Sequence, residues 1–251
     1  MQEKANLLWT GGWDSTLRLL QLLLIDKKRV QPHYVMIGAR KSTPIEIEAM
    51  ERIRKHLYAN YPHVKKLLLE TNYVDDSSLA DNEIIKCSYE KLNAQNYIGD
   101  QFEILARFTD QYQLDKPELC LEKGNFARTF ILPYMETVQV NGHLENLIHT
   151  ESAPEQIYRI LGEYRFPVVN LTRKDMMESA REQEWMQIMK LTWFCHKPIL
   201  NRYACGACNP CMYVRDDGMG WRIPFPQRIL GGIAKKAYNS KIVIRLRNMW
   251  K

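Results

Sequence analysis

The chain has 251 residues, of which 45% are hydrophobic and 25% are charged, and its formal net charge is +6. This composition is typical of an ordinary globular protein and excludes a disordered or fibrous chain. No apolar run approaches the roughly 20 residues that cross a bilayer, and the N-terminus does not resemble a signal peptide, so we expect a cytoplasmic protein with no membrane partner.

Strands and helices alternate along the first part of the chain. The predicted elements, in order, are a strand at 6–9, a helix at 16–24, a strand at 34–37, a helix at 42–60 and a strand at 64–70. Ser42 or Thr43 is the predicted N-cap of the second helix, with Pro44 at its first position. The following stretch, 71–96, is polar and is predicted to be irregular.

The later elements continue the alternation. They are a helix at 98–115, a strand at 117–124, helix and loop over 127–163, and a strand, capped turn and helix over 166–185. Such alternation predicts an α/β fold, in which a parallel sheet carries helices on both faces. We expect a body at 1–191, a cysteine-containing segment at 192–217 and a basic extension at 218–251.

A glycine turn joins the first strand to the first helix, with the sequence Thr10-Gly11-Gly12-Trp13-Asp14-Ser15-Thr16. Two glycines allow positive φ and close approach to the backbone, and the start of a helix offers unpaired N–H groups to an anion. Hydroxyl groups add donors, and Asp14 can hold the loop or assist a metal. A turn without a ligand is the plain alternative, but the pattern favours a phosphate-binding loop.

The turn lacks the Lys of a Walker loop. It resembles the Ser-Gly-Gly-x-Asp-Ser signature of the PP-loop ATP pyrophosphatases, with Thr10 replacing the first Ser. The resemblance implies a fold like that of the adenine nucleotide alpha hydrolases, with ATP as a substrate, Mg²⁺ as its companion ion and AMP transfer as the reaction. The residues implied to bind ATP are Trp9, Thr10, Gly11, Gly12, Trp13, Asp14, Ser15, Thr16 and Leu17, with Asp14 and Ser15 catalytic.

Four of the six cysteines are clustered in the C-terminal third, at Cys195, Cys205, Cys208 and Cys211. Their spacing, C-x9-C-x2-C-x2-C, is typical of a metal site, and four thiolates satisfy a tetrahedral Zn²⁺ with no open position. We therefore predict a structural zinc site within a helical and loop region. An iron–sulfur cluster is the competing interpretation.

Glycine turn and cysteine motif together resemble the 7-cyano-7-deazaguanine synthases. The likeness includes Thr-Trp-x-Cys at 192–195, the Cys-Gly-x-Cys-x-x-Cys motif and "LTRKDM" at 171–176. It implies queuosine biosynthesis: ATP activates the carboxylate of a 7-deazaguanine, ammonia displaces AMP to form an amide, and a second activation gives the nitrile. Arg40 and Lys174 are then expected to be catalytic, and Lys123 and Asn125 to bind the substrate.

The chain departs from that family where the substrate is recognised. "IGARKSTPIEIE" replaces a Tyr-Gly-Gln-Arg-His-like stretch, and "EKGNFARTF" replaces an Arg-Asn loop. A different acceptor therefore stays open, such as a tRNA base or a protein carboxylate. Base thiolation ordinarily needs a free cysteine, for which only Cys87 and Cys120 remain. A non-catalytic relative that binds zinc and nucleic acid is the third alternative.

The C-terminal extension holds eight of the 35 Lys and Arg residues and none of the 29 Asp and Glu residues. A basic tail can bind nucleic acid. Apolar residues run through it to Trp250, however, which favours packing on the body or on a second copy in a homodimer. We expect a short helix followed by an edge strand at 241–247.

Overall fold

The computed structural model describes residues 4–38, 40–95, 98–140 and 143–238. Within these ranges the strands are β1 (Lys4–Leu8), β2 (Arg29–Met36), β3 (Asn72–Asp75), β4 (Met135–Val140) and β5 (His143–Ile148). The helices are α1 (Trp13–Leu20), α2 (Thr43–Asn60), α3 (Glu83–Gln95), α4 (Gln101–Gln111), α5 (Arg128–Ile131), α6 (Glu155–Leu161), α7 (Arg173–Glu182), α8 (Met186–Met189), α9 (Asn209–Val214) and α10 (Phe225–Tyr238).

A parallel sheet forms the centre of the fold, with the strand order β1-β2-β3. Beyond β1 the sheet continues as single parallel bridges, from Leu7 to Glu118 and from Glu118 to Arg165. The strand predicted at 117–124 is thus reduced to one bridging residue, Glu118. In place of the strand predicted from 166 onwards, the structure has a bridge at Arg165. Strands β4 and β5 form a separate antiparallel hairpin.

Helices cover both faces of the parallel sheet. Leu7 and Tyr34 pack with α1, α2, α7 and α8 in one hydrophobic cluster. Their neighbours Leu8 and Val35 pack with α3, α4 and α6 in a second cluster. Because successive side chains of a strand point to opposite faces, neighbouring residues enter different clusters. The predicted α/β class is confirmed.

Several predicted elements of the middle of the chain are wrong. The apolar run at 64–70 is not a strand, because Pro62–Lys66 forms a 3-10 helix and only Leu68 bridges to Val30. The third strand lies later, at β3, where Tyr73 and Val74 suit a sheet. Residues 71–96 are therefore not irregular, since they also contain α3, whose few buried apolar positions conceal its period.

The hairpin of β4 and β5 occupies a stretch for which helix and loop were predicted. Both strands alternate apolar and polar residues, and an Asn-Gly pair at 141–142 lies between them in the sequence. That pair is a strong hairpin signal. The hairpin was thus detectable from turn chemistry, although its strands carry little of the core.

Helix starts follow the prediction at α7 more closely than at α2. Thr172 and Asp175 form a reciprocal capping box at α7. Ser42 precedes α2 but caps no backbone N–H, because its hydroxyl donates to Glu46 instead. Pro44 is the second residue of α2 rather than the first.

The extension contributes one described helix, α10, as predicted. Four of its apolar side chains are exposed, namely Phe225, Ile229, Leu230 and Ile233. The edge strand predicted at 241–247 lies outside the described residues. No helix in the described part of the chain has the length and apolar character needed to span a membrane. A homodimer and a nucleic-acid partner stay predictions.

Candidate functional site

The glycine turn has a backbone that only glycine suits at its first position. Gly11 has φ +66°, and a Cβ there would lie 3.0 Å from Cγ of Met50 and 3.1 Å from the carbonyl oxygen of Glu46. The Trp193 N–H donates to the Gly11 carbonyl at 2.9 Å. The turn is therefore held between α2 and the segment that leads to the cysteines.

Helix α1 begins without a side-chain cap. Gly12 is the N-cap, in an extended conformation, and no side chain accepts from the first turn in the part of the chain that the structure describes. The first helical bond runs from the Thr16 N–H to the Gly12 carbonyl at 3.1 Å. Uncapped N–H groups and the positive end of the helix dipole favour an anion here.

A cavity of about 360 Å³ opens at the carboxyl ends of β1 and β2, beside this turn. Ligands of parallel α/β sheets bind at this edge. Six of the nine residues predicted to bind ATP line the cavity: Trp9, Thr10, Gly12, Trp13, Asp14 and Ser15. A larger cavity of about 580 Å³ lies away from the turn, between α3, α4 and α6.

The other three predicted ATP residues are not among those lining the cavity. Gly11 shapes the turn, and Leu17 is fully buried in the core. Thr16 is also fully buried, and its hydroxyl accepts from Trp9 Nε1 at 3.0 Å. Its hydroxyl therefore fixes the turn against β1 rather than facing the cavity.

Asp14 lines the cavity, and desolvation raises its pKa to about 6 from an ordinary 3.8. Arg173 and Arg222 oppose this shift in pKa, while Glu122 and Asp217 add to it. Arg173 lines the cavity and donates to Glu122 at 2.9 Å and to Asp217 at 2.6 Å. Two arginines and two further carboxylates thus act on Asp14 at the start of α1.

Arg222 lies between two aromatic rings beside the turn. Its guanidinium carbon is 5.1 Å from the ring centre of Trp13 and 4.7 Å from that of Phe194. Its Nη2 donates to the carbonyl and to the hydroxyl of Thr192, at 2.7 and 2.6 Å. Burial lowers the pKa of Arg222 to about 10, so the group stays charged at neutral pH.

Two buried donors of this cluster have no partner in the described structure, namely Trp13 Nε1 and Arg222 Nη1. An unsatisfied buried donor costs about 1–3 kcal/mol. Both residues line the cavity. Their unpaired N–H groups are available to donate to an acceptor.

Arg40 is a further cation of the cavity lining. It donates to Gln101 Oε1 at 3.0 Å and lies 3.8 Å from a carboxylate oxygen of Glu46. That carboxylate also accepts from Tyr34 at 2.7 Å and from Ser42. Arg40 is thus held in place by a polar network, and it lies at the cavity as the sequence predicts.

The remaining predicted residues separate into two groups. Asn125 lines the cavity, with its side-chain oxygen accepting from the Ala127 N–H at 2.9 Å. Lys123 and Lys174 are exposed and are not among the lining residues. Successive helical residues are rotated by about 100°, so α7 directs Arg173 to the cavity and its neighbour Lys174 elsewhere.

Several lining residues were not predicted, including Arg173, Arg222, Trp193 and Phe194. Trp193 and Phe194 directly precede the first cysteine, and Arg173 lies inside the "LTRKDM" motif. Those positions were a usable signal for all three. Arg222 carried none, because it lies more than 200 residues from the turn and reaches it only through the tertiary fold.

The four clustered cysteines converge on one point. Their Sγ atoms all lie within 4.8 Å of one another. Individual separations are 3.8 Å for Cys195 and Cys208, 3.9 Å for Cys205 and Cys211, and 3.4 Å for Cys208 and Cys211. Four such thiolates can hold a metal ion, as the spacing predicts.

Backbone groups surround the sulfur atoms. The Cys205 N–H donates to Cys195 Sγ at 3.2 Å, and the Cys208 N–H donates to Cys205 Sγ at 3.3 Å. Gly206, with φ +76°, lies so close to α10 that an added Cβ would be 2.1 Å from the carbonyl oxygen of Gln227. Arg215 donates to the Gly206 carbonyl at 2.6 Å. The cysteine loop is thus packed against the C-terminal helix.

No protein-family model and no curated protein matches this chain. Among solved structures, it is similar to the U34-tRNA thiolase NcsA from Methanococcus maripaludis with its [4Fe-4S] cluster. The sequence identity is 13%, the alignment covers 93% of this chain and 72% of that one, and the TM-score is 0.43. A likeness of this strength assigns neither substrate nor cluster to the chain, which is an α/β protein with a glycine turn at its sheet edge and a four-cysteine cluster.

Proposed function

We propose that this protein binds ATP at the glycine turn and transfers AMP to an acceptor, releasing pyrophosphate. The observation that carries the proposal is the convergence, in one cavity at the strand ends, of the uncapped start of α1 with the unpaired donors of Trp13 and Arg222. Preorganised donors of this kind stabilise charge that develops on a phosphate in the transition state. Mg²⁺ would accompany the nucleotide.

Asp14 and Ser15 are the proposed catalytic groups of the turn. Ser15 lies in the first turn of α1, lines the cavity and is 7% exposed. Asp14, with a pKa of about 6, is largely ionised at neutral pH and can hold a cation or orient the loop. Both act on the phosphates, whatever the acceptor is.

A carboxylate is the proposed acceptor, with Arg40 as the group that recognises it. A guanidinium matches a carboxylate with two parallel hydrogen bonds, and Arg40 is already oriented by Gln101 and Glu46. Adenylation makes the carboxylate a good electrophile, so that ammonia can displace AMP and form an amide. On the motif resemblance, a 7-carboxy-7-deazaguanine is the first substrate to test, with dehydration to the nitrile as a second step.

A base in a tRNA is the second candidate acceptor. Tyr213 lines the cavity and is 51% exposed, and the guanidinium carbon of Arg173 lies 5.6 Å from its ring centre, so that an unpaired base would have to stack on the ring face opposite Arg173. Thiolation through Cys120 is less well supported, although Cys120 lines the cavity. Burial, with the charges of Glu118 and Asp14, raises the pKa of its thiol well above the ordinary value, and a thiol is a poor nucleophile.

Zn²⁺ is the metal that we propose for the cysteine cluster. A tetrahedral ion with Zn–S bonds of about 2.3 Å places its sulfur atoms about 3.8 Å apart. The separations of 3.4, 3.8 and 3.9 Å fit one ion at the centre. A multi-iron cluster binds its cysteines through different iron atoms and needs more room between them. With all four positions filled by cysteine, the ion would be structural.

The proposal is tested by incubating the protein with ATP, Mg²⁺ and ammonium, in parallel with 7-carboxy-7-deazaguanine or with unmodified tRNA. Products are identified by mass spectrometry and pyrophosphate is measured. We expect pyrophosphate release that depends on the carboxylate and is lost in Arg40→Gln. Release that depends on tRNA alone would favour the second candidate, and no release with any acceptor would contradict adenylation.

A further inference from the structure

Arg222 belongs to the basic extension at 218–251 but lies at the end of the cavity beside the glycine turn, over the ring of Trp13. It belongs to a short 3-10 helix, Gly220–Arg222, that precedes α10. Two hydrogen bonds to Thr192 and two aromatic rings fix its position. A cation with this many restraints is oriented before any ligand arrives, which distinguishes it from the exposed Arg228 of α10.

Within the described ranges, the hydrogen bonds of the Arg222 guanidinium are made by Nη2. Nη2 makes both bonds to Thr192, whereas Nη1 is buried and has no partner in the described ranges. Trp13, which is 5% exposed, likewise has an unpartnered Nε1. Both groups are donors only, and both belong to residues that line the cavity.

We propose that Arg222 and Trp13 bind phosphate oxygens of the nucleotide, so that the C-terminal extension supplies part of the ATP site. The proposal rests on the proposed function. A phosphate offers several acceptor oxygens and negative charge, which match a guanidinium and an indole N–H beside the uncapped start of α1.

Adenine is a poorer occupant of this position. The Trp13 ring, which could otherwise stack on a base, has Arg222 over its face, and the Phe194 ring is covered by the same guanidinium. The acceptor carboxylate is assigned to Arg40, whose side chain contacts Gln101 and Glu46. The phosphates are therefore the part of the reactants that fits this corner.

Isothermal titration of the full-length protein with ATP, pyrophosphate and adenosine tests the assignment. In Arg222→Gln we expect ATP and pyrophosphate to bind about ten-fold more weakly or worse, because a charged hydrogen bond is lost, while adenosine binds as to the wild type. Trp13→Phe keeps the ring but removes the N–H, and it should weaken ATP binding by about three-fold to ten-fold.

Arg228→Gln is the matched control, since it removes an exposed arginine of α10 and should leave all three affinities unchanged. Wild-type affinity for ATP in Arg222→Gln would overturn the inference. An equal loss for adenosine, with a lower melting temperature, would overturn it as well and assign Arg222 a structural role. If Arg222→Gln does not fold, Arg222→Lys is measured in its place. For Trp13→Phe, an ATP affinity equal to that of the wild type would overturn the contact between the indole N–H and the phosphate. If the wild type binds neither ATP nor pyrophosphate, the proposed function itself fails.

Discussion

One segment, residues 192–222, joins the glycine-turn cavity to the cysteine cluster. The two regions differ in whether their polar groups have partners within the protein. In the cluster, sulfur atoms face one another and accept from the backbone of the same loop. In the cavity, Trp13 Nε1 and Arg222 Nη1 have no hydrogen-bond partner among the described residues, and desolvation raises the pKa of Asp14. The cluster can hold one ion, whereas the cavity of about 360 Å³ has room for a larger ligand.

This difference separates a site that stabilises the fold from one that reduces its stability. Unpaired buried donors and a desolvated carboxylate are unfavourable without a ligand, and proteins commonly retain such groups where function needs them. The cluster has the reverse role, because metal binding contributes directly to folding. Substitutions in the two regions should therefore change stability in opposite directions.

Cys208→Ser should have the largest effect. Removing one thiolate from the proposed zinc site leaves it incomplete, and apparent binding energies of structural zinc in small domains are about 10–16 kcal/mol. We expect loss of bound zinc and insoluble or unfolded protein. Cys87→Ser is the control, since Cys87 is exposed in α3. Metal analysis of pure wild-type protein should give one zinc per chain; iron with labile sulfide would contradict the zinc assignment.

Ser15→Ala and Asp14→Ala should abolish turnover without unfolding the protein. Loss of one preorganised group at a developing charge lowers the rate by about 10²–10³-fold. Pyrophosphate release is the measurement, and circular dichroism checks the fold. Rates close to that of the wild type in both variants would show that the turn is not the site of the reaction.

Gly206→Ala and Gly218→Ala separate tight packing from backbone strain. Both glycines have φ +76°, but a Cβ on Gly206 would meet the backbone of α10, whereas nothing lies within 4 Å at Gly218. We expect Gly206→Ala to lower the free energy of unfolding by about 2–4 kcal/mol and Gly218→Ala by about 1–2 kcal/mol. Urea unfolding measures both, and equal losses would refute close packing of α10 on the cysteine loop.

Asp14→Asn should stabilise the protein while inactivating it. The pKa of Asp14 is about 6 in the folded state, against 3.8 ordinarily, so the folded state binds this proton more tightly than the unfolded state does. Wild-type stability should therefore fall as pH rises from about 4 to about 6, by up to about 3 kcal/mol. Because Asn cannot ionise, Asp14→Asn should have a higher melting temperature than the wild type at pH 7.5 and the same melting temperature near pH 4. An increase of equal size at both pH values would contradict the raised pKa.

Lys174→Gln should have the smallest effect, although the sequence suggests that Lys174 is catalytic. The residue is exposed and is not among those that line the cavity. We expect pyrophosphate release to change by less than about three-fold, as for an ordinary surface charge. Arg173→Gln, one residue earlier, should reduce it much more. A large loss in Lys174→Gln with little change in Arg173→Gln would restore the original assignment.

Local sequence was sufficient where a short stretch sets its own geometry. The glycine turn and the start of α7 depend on neighbouring residues, and each lies where the pattern predicts, whereas α1 begins at Trp13, three residues before the helix predicted at 16–24. The cysteine spacing likewise predicted a cluster that the fold brings together. The apolar run at 64–70 and the short alternations of β4 and β5 each fit more than one structure, and at the hairpin the specific local signal was the Asn-Gly pair in the sequence.

The sequence by itself determined the alternation of strand and helix, the turn at the strand end and the set of candidate metal ligands, because each depends on residues close together in the chain. Only the tertiary structure decided which cations face the turn. It directs Arg173 rather than Lys174 to the cavity, because helical rotation separates neighbours, and it places Arg222 beside Trp13 through packing across more than 200 residues. No local pattern encodes a contact of that range, since it is set by how α10 and the cysteine loop pack on the body.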